Sequence, residues 1–131
     1  MNIYLASILG GLAGGVVFGI MMAKMNKLTR IARLIGKDSN SAGWVVHLVS
    51  SSIIGLLYPV TAVIFGFNEG LTEITLGSIY GALYGASWWV LGPSIIMPLL
   101  LKERPKIAPI KGLVGHAIYG AILGLVVSLL I

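Results

Sequence analysis

Residues 3–23, IYLASILGGLAGGVVFGIMMA, contain no charged side chain and are followed at once by the basic segment 24–37, KMNKLTRIARLIGK. A helix needs about 20 apolar residues to cross a hydrocarbon layer of about 30 Å, and the first segment has that length. A charged side chain costs about 2.5–3.5 kcal/mol at the centre of a bilayer. An uncharged segment of this length that ends in cations is therefore typical of a membrane-spanning helix.

Three further segments follow the same pattern, at 43–65, 74–101 and 112–131, and none of them contains Asp, Glu, Lys or Arg. The chain is 57% hydrophobic and only 10% charged, whereas about a quarter of the residues of a soluble domain are charged. The four segments and their connections occupy the whole length. The sequence therefore predicts an all-α integral membrane protein with four transmembrane helices in a single membrane domain over residues 1–131.

The third predicted span, 74–101, contains two prolines in its second half. Pro93 and Pro98 lack the backbone N–H that a regular helix uses, so this part of the span is predicted to be kinked or locally unwound. Two further prolines, Pro105 and Pro109, lie in the connection that follows. Because a proline disfavours helical backbone at the residue before it, that connection is predicted to be extended.

The distribution of charge predicts the orientation of the chain. All nine Lys and Arg residues lie in the connections 24–37 and 102–111, whereas the connection 66–73 carries only Glu69 and Glu73. By the positive-inside rule, both basic connections face the cytoplasm and both termini lie outside, which suits the inner membrane of a prokaryote. Because the first apolar segment lacks a basic n-region and a cleavage site, we expect it to stay in the mature chain. The loop charges account for the basic excess without a nucleic-acid partner.

The segment 24–37 places both its cations and its apolar residues at helical spacing. This pattern predicts a basic amphipathic helix that continues the first span along the membrane interface. Each cation near an anionic leaflet contributes about 1 kcal/mol of attraction, although the same charges could serve only to set the topology. The residues expected to contact anionic lipid head groups are Lys24, Lys27, Arg30, Arg33 and Lys37.

The chain contains an internal repeat. When His47 is aligned with His116, the only other histidine, the glycines around the two also fall into register. A second alignment superposes the first span on the third, with Gly10 on Gly81. The two halves, about 1–66 and 72–131, begin on the same side, so the sequence predicts two parallel-oriented helical-hairpin repeats related by a pseudo-two-fold axis along the membrane normal.

Small residues recur at intervals of four in every span. Such stripes let transmembrane backbones approach closely, because lipid supplies no hydrophobic drive between helices. The stripes are expected to pack helices within one chain, to join copies of the chain into a homo-oligomer or a membrane complex, or to do both. The glycines expected to take part are Gly11, Gly15, Gly19, Gly55, Gly81, Gly85, Gly120 and Gly124.

The repeat predicts that His47 and His116 lie at equal depth near the cytoplasmic ends of their spans. An ionisable side chain inside a membrane is a candidate functional residue, and Ser51 and Tyr119 lie one turn further along the same two helices. These four residues form the candidate ligand or ion site. The imidazoles could be neutral and donate to Ser51, to Tyr119 or to a backbone carbonyl. They could also form a pH-sensitive or ion-contacting pair, or bind a haem or a metal ion.

The sequence contains no catalytic constellation: no paired carboxylates within a span, no HExxH motif and no P-loop, so an enzyme is not expected. The first prediction is an accessory or structural membrane protein that self-associates or packs in a complex through its glycine stripes. One alternative is a small channel or transporter with a site at the pseudo-two-fold axis. A second alternative is a redox protein that binds haem or a metal ion through His47 and His116. Only that alternative requires a cofactor.

Overall fold

The computed structural model describes all 131 residues and contains only helices and their connections. Four helical segments are long and apolar enough to cross a membrane: α1 (Ile3–Lys24), α3 (Asn40–Phe65), a third segment at Ile74–Leu100, and α6 (Ile110–Leu130). The four predicted spans are confirmed as helices. α3 begins three residues earlier than predicted because the Ser39 hydroxyl accepts a hydrogen bond from the third backbone N–H beyond it and caps the helix.

The third long segment is interrupted, as its prolines predict. α4 (Ile74–Leu91) is followed by a π-helical turn at Gly92–Ile96 and then by the short α5 (Met97–Leu100). In the wide turn, the Ser94 hydroxyl donates to the carbonyl of Trp89, five residues earlier, at 3.0 Å. A π-helical turn inserts one residue into a helix and often marks a functional site.

The basic segment 24–37 does not continue α1, so this part of the prediction is wrong. The chain leaves α1 in a turn at Met25–Lys27, where Asn26 has a φ of 56° that no right-handed helix accommodates. Only after this turn does it form α2 (Leu28–Ala32), which a 3₁₀ turn extends to Ile35. The left-handed residue ends the helix although the cations keep their helical spacing on both sides of it.

α2 is docked on the helix bundle. Leu28 and Ala32 are 1% and 0% exposed, and the backbone carbonyl of Leu28 lies directly against Gly43 at the start of α3. A side chain at position 43 would collide with that carbonyl. The apolar face of the short helix is therefore covered by protein.

The long helices follow one another around the bundle in the order α3, α1, α6, α4, each packed along the next. The α3 and α4 backbones make no comparable contact. Two tyrosines bridge them instead. The Tyr58 hydroxyl donates to the carbonyl of Gly77 at 3.0 Å, and the Tyr84 hydroxyl donates to the carbonyl of Ile54 at 2.5 Å. Side chains therefore separate α3 from α4, whereas the other neighbouring helices touch through their backbones.

Glycines occupy the points where the backbones touch. A Cβ atom at Gly81 would overlap the carbonyl of Gly120, and one at Gly11 would overlap the carbonyl of Ser51. Among the glycines inside helices, only Gly92 has open space beside its Cα atom. The glycine stripes are therefore occupied by contacts within one chain.

Both basic connections lie at the same end of the bundle. The Arg30 guanidinium donates two hydrogen bonds to the Glu103 carboxylate, at 3.0 and 3.1 Å. Since Arg30 precedes α3 and Glu103 precedes α6, this ion pair ties the first connection to the third. We call this end of the bundle the basic end. The connection 66–73 and both termini lie at the opposite end, because the four long segments alternate in direction.

Candidate functional site

A cavity of about 640 Å³, which we call the basic-end cavity, extends into the bundle between α3 and the segment formed by α4 and α5. Three cations lie at its rim: Lys27 and Arg30 from the first connection and Lys106 from the third. Ser51 of α3 is among its deepest polar residues. The wall on α3 continues to Ile54, so at 1.5 Å per residue from Asn40 the cavity reaches about 21 Å along that helix. It is therefore a deep site and not a surface depression.

The wall of the basic-end cavity below the rim is mostly apolar. Aliphatic and thioether side chains from four helical segments and the π-helical turn form it, namely Met22, Ile31, Ile54, Ile96 and Met97. The Trp88 indole also contributes to the wall, and its Nε1 is the one buried side-chain polar atom without a hydrogen-bond partner. A site with charge at the mouth and hydrocarbon inside suits a ligand that has both characters.

Both histidines lie in the wall of this cavity, one on α3 and one on α6. The Nε2 atom of His47 is 2.7 Å from the carbonyl oxygen of Gly15, and the Nδ1 atom of His116 is 2.7 Å from that of Gly112. A carbonyl oxygen can only accept, so each of these nitrogens carries a proton. In the neutral rings, Nδ1 of His47 and Nε2 of His116 are then acceptors, and neither has a hydrogen-bond partner in the chain.

The two histidines match in sequence but form different bonds. His47 reaches across to α1, whereas His116 bonds to the preceding turn of its own helix. The difference follows from helix packing, because α4 lies so close to α6 that a Cβ at Gly85 would overlap the backbone carbonyl of His116. The imidazole of His116 has no space between those backbones and lies against Phe18 of α1 instead.

Phe18 connects the two imidazoles. Its ring packs edge-on against His47 with centroids 5.6 Å apart and against His116 with centroids 4.6 Å apart. A porphyrin held between the histidines would have to replace this ring. A bare metal ion would also lack ligands, since no group of three or more His, Cys, Asp or Glu side chains comes together. The residues present therefore do not fit a haem or a metal site.

Ser51 and Tyr119 meet each other and not the histidines. The Tyr119 hydroxyl donates to the backbone carbonyl of Ser51 at 2.6 Å, which links α6 to α3 at the inner end of the cavity. All four predicted site residues thus line one cavity. Of the three partners considered for a neutral imidazole, the structure has the backbone carbonyl.

The predicted head-group cations divide into separate sets. Lys27 and Arg30 lie at the cavity rim, and Arg33 adds a weaker ion pair to Glu103 at 3.7 Å. Lys24 lies away from the cavity, beside Lys111 in a shallow depression between α1 and α6, and Lys37 is exposed.

Sequence reasoning missed three residues of this site. Phe18 gave no signal, because it is one apolar residue among many in its span. Lys106 lay in a connection interpreted only as a topology signal. Glu103 did carry a signal, since it is the only acidic residue in the connection 102–111 and a lone carboxylate among cations is suited to an ion pair.

Residues 102–109, which we call the strap, cross the basic end next to the cavity. Besides the ion pair of Glu103, four hydrogen bonds hold the strap to the third long segment. The backbone N–H groups of Lys102 and Glu103 donate to the carbonyls of Leu99 and Pro98, at 3.1 and 2.7 Å. The N–H of Ala108 donates to the Ser94 hydroxyl at 3.0 Å, and the Trp89 indole donates to the carbonyl of Pro109 at 3.2 Å. The strap is therefore attached at its beginning to α2 and at its end to the π-helical region.

Acidification is expected to release the beginning of the strap. The hydrogen bond from Arg30 holds the pKa of the Glu103 carboxyl below its usual value, and the charges of Arg30, Arg33 and Lys106 act in the same direction. A carboxyl whose pKa is lowered by folding stabilises the fold fully above its unfolded pKa. That contribution is lost as the pH falls through the lower folded pKa. Protection of the strap amides from hydrogen exchange, relative to the intrinsic exchange rate at each pH, should therefore fall over that range of pH, while protection in α1 stays unchanged.

The control for this prediction is the amide variant of the same residue. Glu103→Gln should show the lower protection of the strap already at neutral pH and no further loss of protection on acidification. Glu69→Gln, at the opposite end of the bundle, should behave like the unmodified chain. Equal protection of the unmodified strap at neutral and acidic pH would show that the ion pair does not hold it.

No protein-family model, curated protein or solved structure was found to match this chain. Its function is therefore inferred from the geometry and the charges of the basic-end cavity.

Proposed function

We propose that this chain is an integral membrane protein that crosses the bilayer four times, with its basic end in the cytoplasm and both termini outside. Two observations support the proposal. Large apolar side chains on the outer surface are strongly exposed, among them Ile64 at 71% and Phe65 at 75%. Lipid would cover these side chains, whereas in water they would form a large exposed apolar surface, which soluble monomers rarely have. The Arg30–Glu103 ion pair also brings both basic connections to one side, as the positive-inside rule requires.

The helix crossings support two parallel hairpin repeats. α1 meets α3 where Gly11 touches the carbonyl of Ser51, and α4 meets α6 where Gly81 touches the carbonyl of Gly120. Ser51 and Gly120 are equivalent in the sequence alignment that superposes the two histidines. Gly81, in contrast, was aligned with Gly10 in sequence, whereas its counterpart by contact is Gly11. In this proposal the α1–α3 contact corresponds to the α4–α6 contact. The alignment of the first span on the third is then shifted by one residue, so that Gly11 and not Gly10 matches Gly81.

The function that best suits this geometry is binding or transport of a ligand through the basic-end cavity. The observation that carries it is the cavity itself, about 640 Å³ in volume, with cations at its rim and both histidines in its wall. Ligand pockets commonly have volumes of about 300–1,000 Å³, and transporter sites often combine a repeat interface with an irregular helix. Assembly through the glycine stripes has less support, because their contacts lie within the chain.

Accessibility of the cavity tests this function. The chain contains no cysteine, so single cysteines can be introduced without background. Ser50→Cys lies in the cavity wall, whereas Val49→Cys is on the outer apolar face at the same depth, where the native side chain is 55% exposed. In vesicles of zwitterionic lipid alone, a charged, membrane-impermeant thiol reagent should modify Ser50→Cys from the basic side and leave Val49→Cys unmodified, because the reagent reaches water-filled cavities but not lipid.

Two marker positions identify the side of the membrane. Lys106→Cys should react only in inside-out vesicles and Glu69→Cys only in right-side-out vesicles. Reaction of both markers from the same side would overturn the topology. An unreactive Ser50→Cys beside a reactive Lys106→Cys would instead overturn the cavity as a route for ligands.

A further inference from the structure

We propose that the basic-end cavity binds one anionic phospholipid from the cytoplasmic leaflet, with its phosphate at the rim and an acyl chain along the inner wall. This inference rests on the proposed function, because it requires the basic end to lie at a membrane surface. The occupant follows from three features of the cavity: its charge, its lining and its open side.

The charge at the rim selects an anion. Arg30 is paired with Glu103, but neither Lys27 nor Lys106 has a carboxylate within ion-pair distance. The rim therefore keeps two uncompensated ammonium groups. A phosphodiester head group with a net negative charge would satisfy both, since ammonium and phosphate form charge-assisted hydrogen bonds. A zwitterionic head group would bring a cation of its own to the same place.

The lining selects a lipid over a small soluble anion. Below the rim, the wall is formed by aliphatic and thioether side chains such as Ile54, Ile96 and Met97. These side chains offer no hydrogen-bond donor. The donors elsewhere in the wall, the Trp88 indole and the Ser50 and Ser51 hydroxyls, carry no charge, so a free phosphate ion would find no cation below the rim. An acyl chain would remove this apolar surface from water, and its binding would grow with the length that is buried.

The open side gives a lipid its path. The backbones of α3 and α4 do not pack together. The hydrogen bonds of Tyr58 and Tyr84 bridge these helices only at the middle of α3 and further toward the end opposite the basic end. Toward the basic end, the π-helical turn at Gly92–Ile96 faces α3 across the cavity. A lipid in the surrounding leaflet could therefore enter sideways without crossing the bundle.

Native mass spectrometry tests the proposal. The intact chain is released from bilayers of phosphatidylcholine that contain a minor fraction of phosphatidylglycerol. We expect one retained phosphatidylglycerol per chain. The double variant Lys27→Glu/Lys106→Glu should retain it at least about tenfold less, since each cation near an anionic lipid contributes on the order of 1 kcal/mol. Lys24→Glu/Lys111→Glu changes the net charge of the same end equally but lies outside the cavity, and it should retain the lipid.

Two further measurements distinguish binding of the whole lipid from binding of its head group alone. Ile54→Trp would fill the inner wall without changing the charge, and it should also lose the lipid. Glycerol phosphate without acyl chains should not displace the bound lipid. Thermal unfolding of each variant identifies those that fail to fold, and for those the Lys27 and Lys106 single variants replace the double variant.

Several results would overturn the inference. These are equal retention of phosphatidylcholine, equal loss in the Lys24→Glu/Lys111→Glu control, and displacement by glycerol phosphate. If Ser50→Cys reacts from the basic side but no anionic lipid is retained, the lipid assignment is wrong and the proposed function stands. If Ser50→Cys does not react in vesicles of zwitterionic lipid alone either, both proposals fail.

Discussion

Gly81→Ala is expected to lower the free energy of unfolding by about 3 kcal/mol, at the upper end of the usual cost of overpacking. The added methyl group would overlap the backbone carbonyl of Gly120. A side chain could rotate away from such a contact, but a backbone carbonyl within a helix cannot. The whole of α4 would have to move from α6, and the contacts of the neighbouring glycines would be lost with it.

Gly92→Ala provides the matched control, because it makes the same chemical change in the same long segment. Apart from its chain neighbours and the adjoining backbone of its own helix, no atom lies within 4 Å of the Cβ position at Gly92, so its effect should stay within about 0.5 kcal/mol. Denaturant unfolding in micelles, followed by helical circular dichroism, measures both variants. Equal stability of the two would mean that α4 and α6 are not in backbone contact at this crossing.

Tyr58→Ala is expected to cost about 3–5 kcal/mol, the range for truncating a large buried aromatic side chain. Tyr58 is 0% exposed, its ring packs 5.1 Å from that of Tyr84, and its hydroxyl donates to Gly77 of α4. Because α3 and α4 are separated by such side chains, neither backbone can close the space that the ring leaves. The loss of stability should therefore include the full contribution of the cavity that the ring leaves behind.

Two variants divide this effect into its parts. Tyr58→Phe removes only the hydroxyl and should cost about 0.6 kcal/mol, the average for an interhelical hydrogen bond in a membrane protein. Phe65→Ala removes an aromatic ring from the same helix at a site that is 75% exposed, and it should change stability by no more than about 0.5 kcal/mol. If Tyr58→Phe were as unstable as Tyr58→Ala, the hydrogen bond and not the ring volume would hold α3 to α4.

The helical segments were predictable because their signals are local. An uncharged apolar run favours a membrane-spanning helix over its own length, and a proline without its N–H disturbs the helix at its own position. The four long segments and the interruption at Pro93 and Pro98 therefore follow from the sequence. The turn after α1 was not predictable in this way. Asn26 is of a residue type that tolerates left-handed backbone, but the turn there accompanies the packing of Leu28 against α3, a contact between residues of different helices.

The candidate site was only partly predictable for the same reason. The alignment of the two halves placed His47 and His116 in one group, and both line the same cavity. Their different hydrogen bonds depend on how closely α4 approaches α6, which is set by glycines that meet across two helices, such as Gly81 and Gly120. The role of Phe18 between the two rings likewise depends on α1 lying next to both α3 and α6.

By itself, the sequence determined the number and the approximate bounds of the long helices and the concentration of cations in two connections, because apolar length and absence of charge are properties of each segment alone. Only the tertiary structure decided which helices touch, that the glycine stripes are occupied within the chain, and that α3 and α4 enclose a cavity. The physical reason is that packing depends on the combined volumes of distant side chains. A glycine stripe looks the same in the sequence whether it meets a helix of its own chain, another copy or lipid.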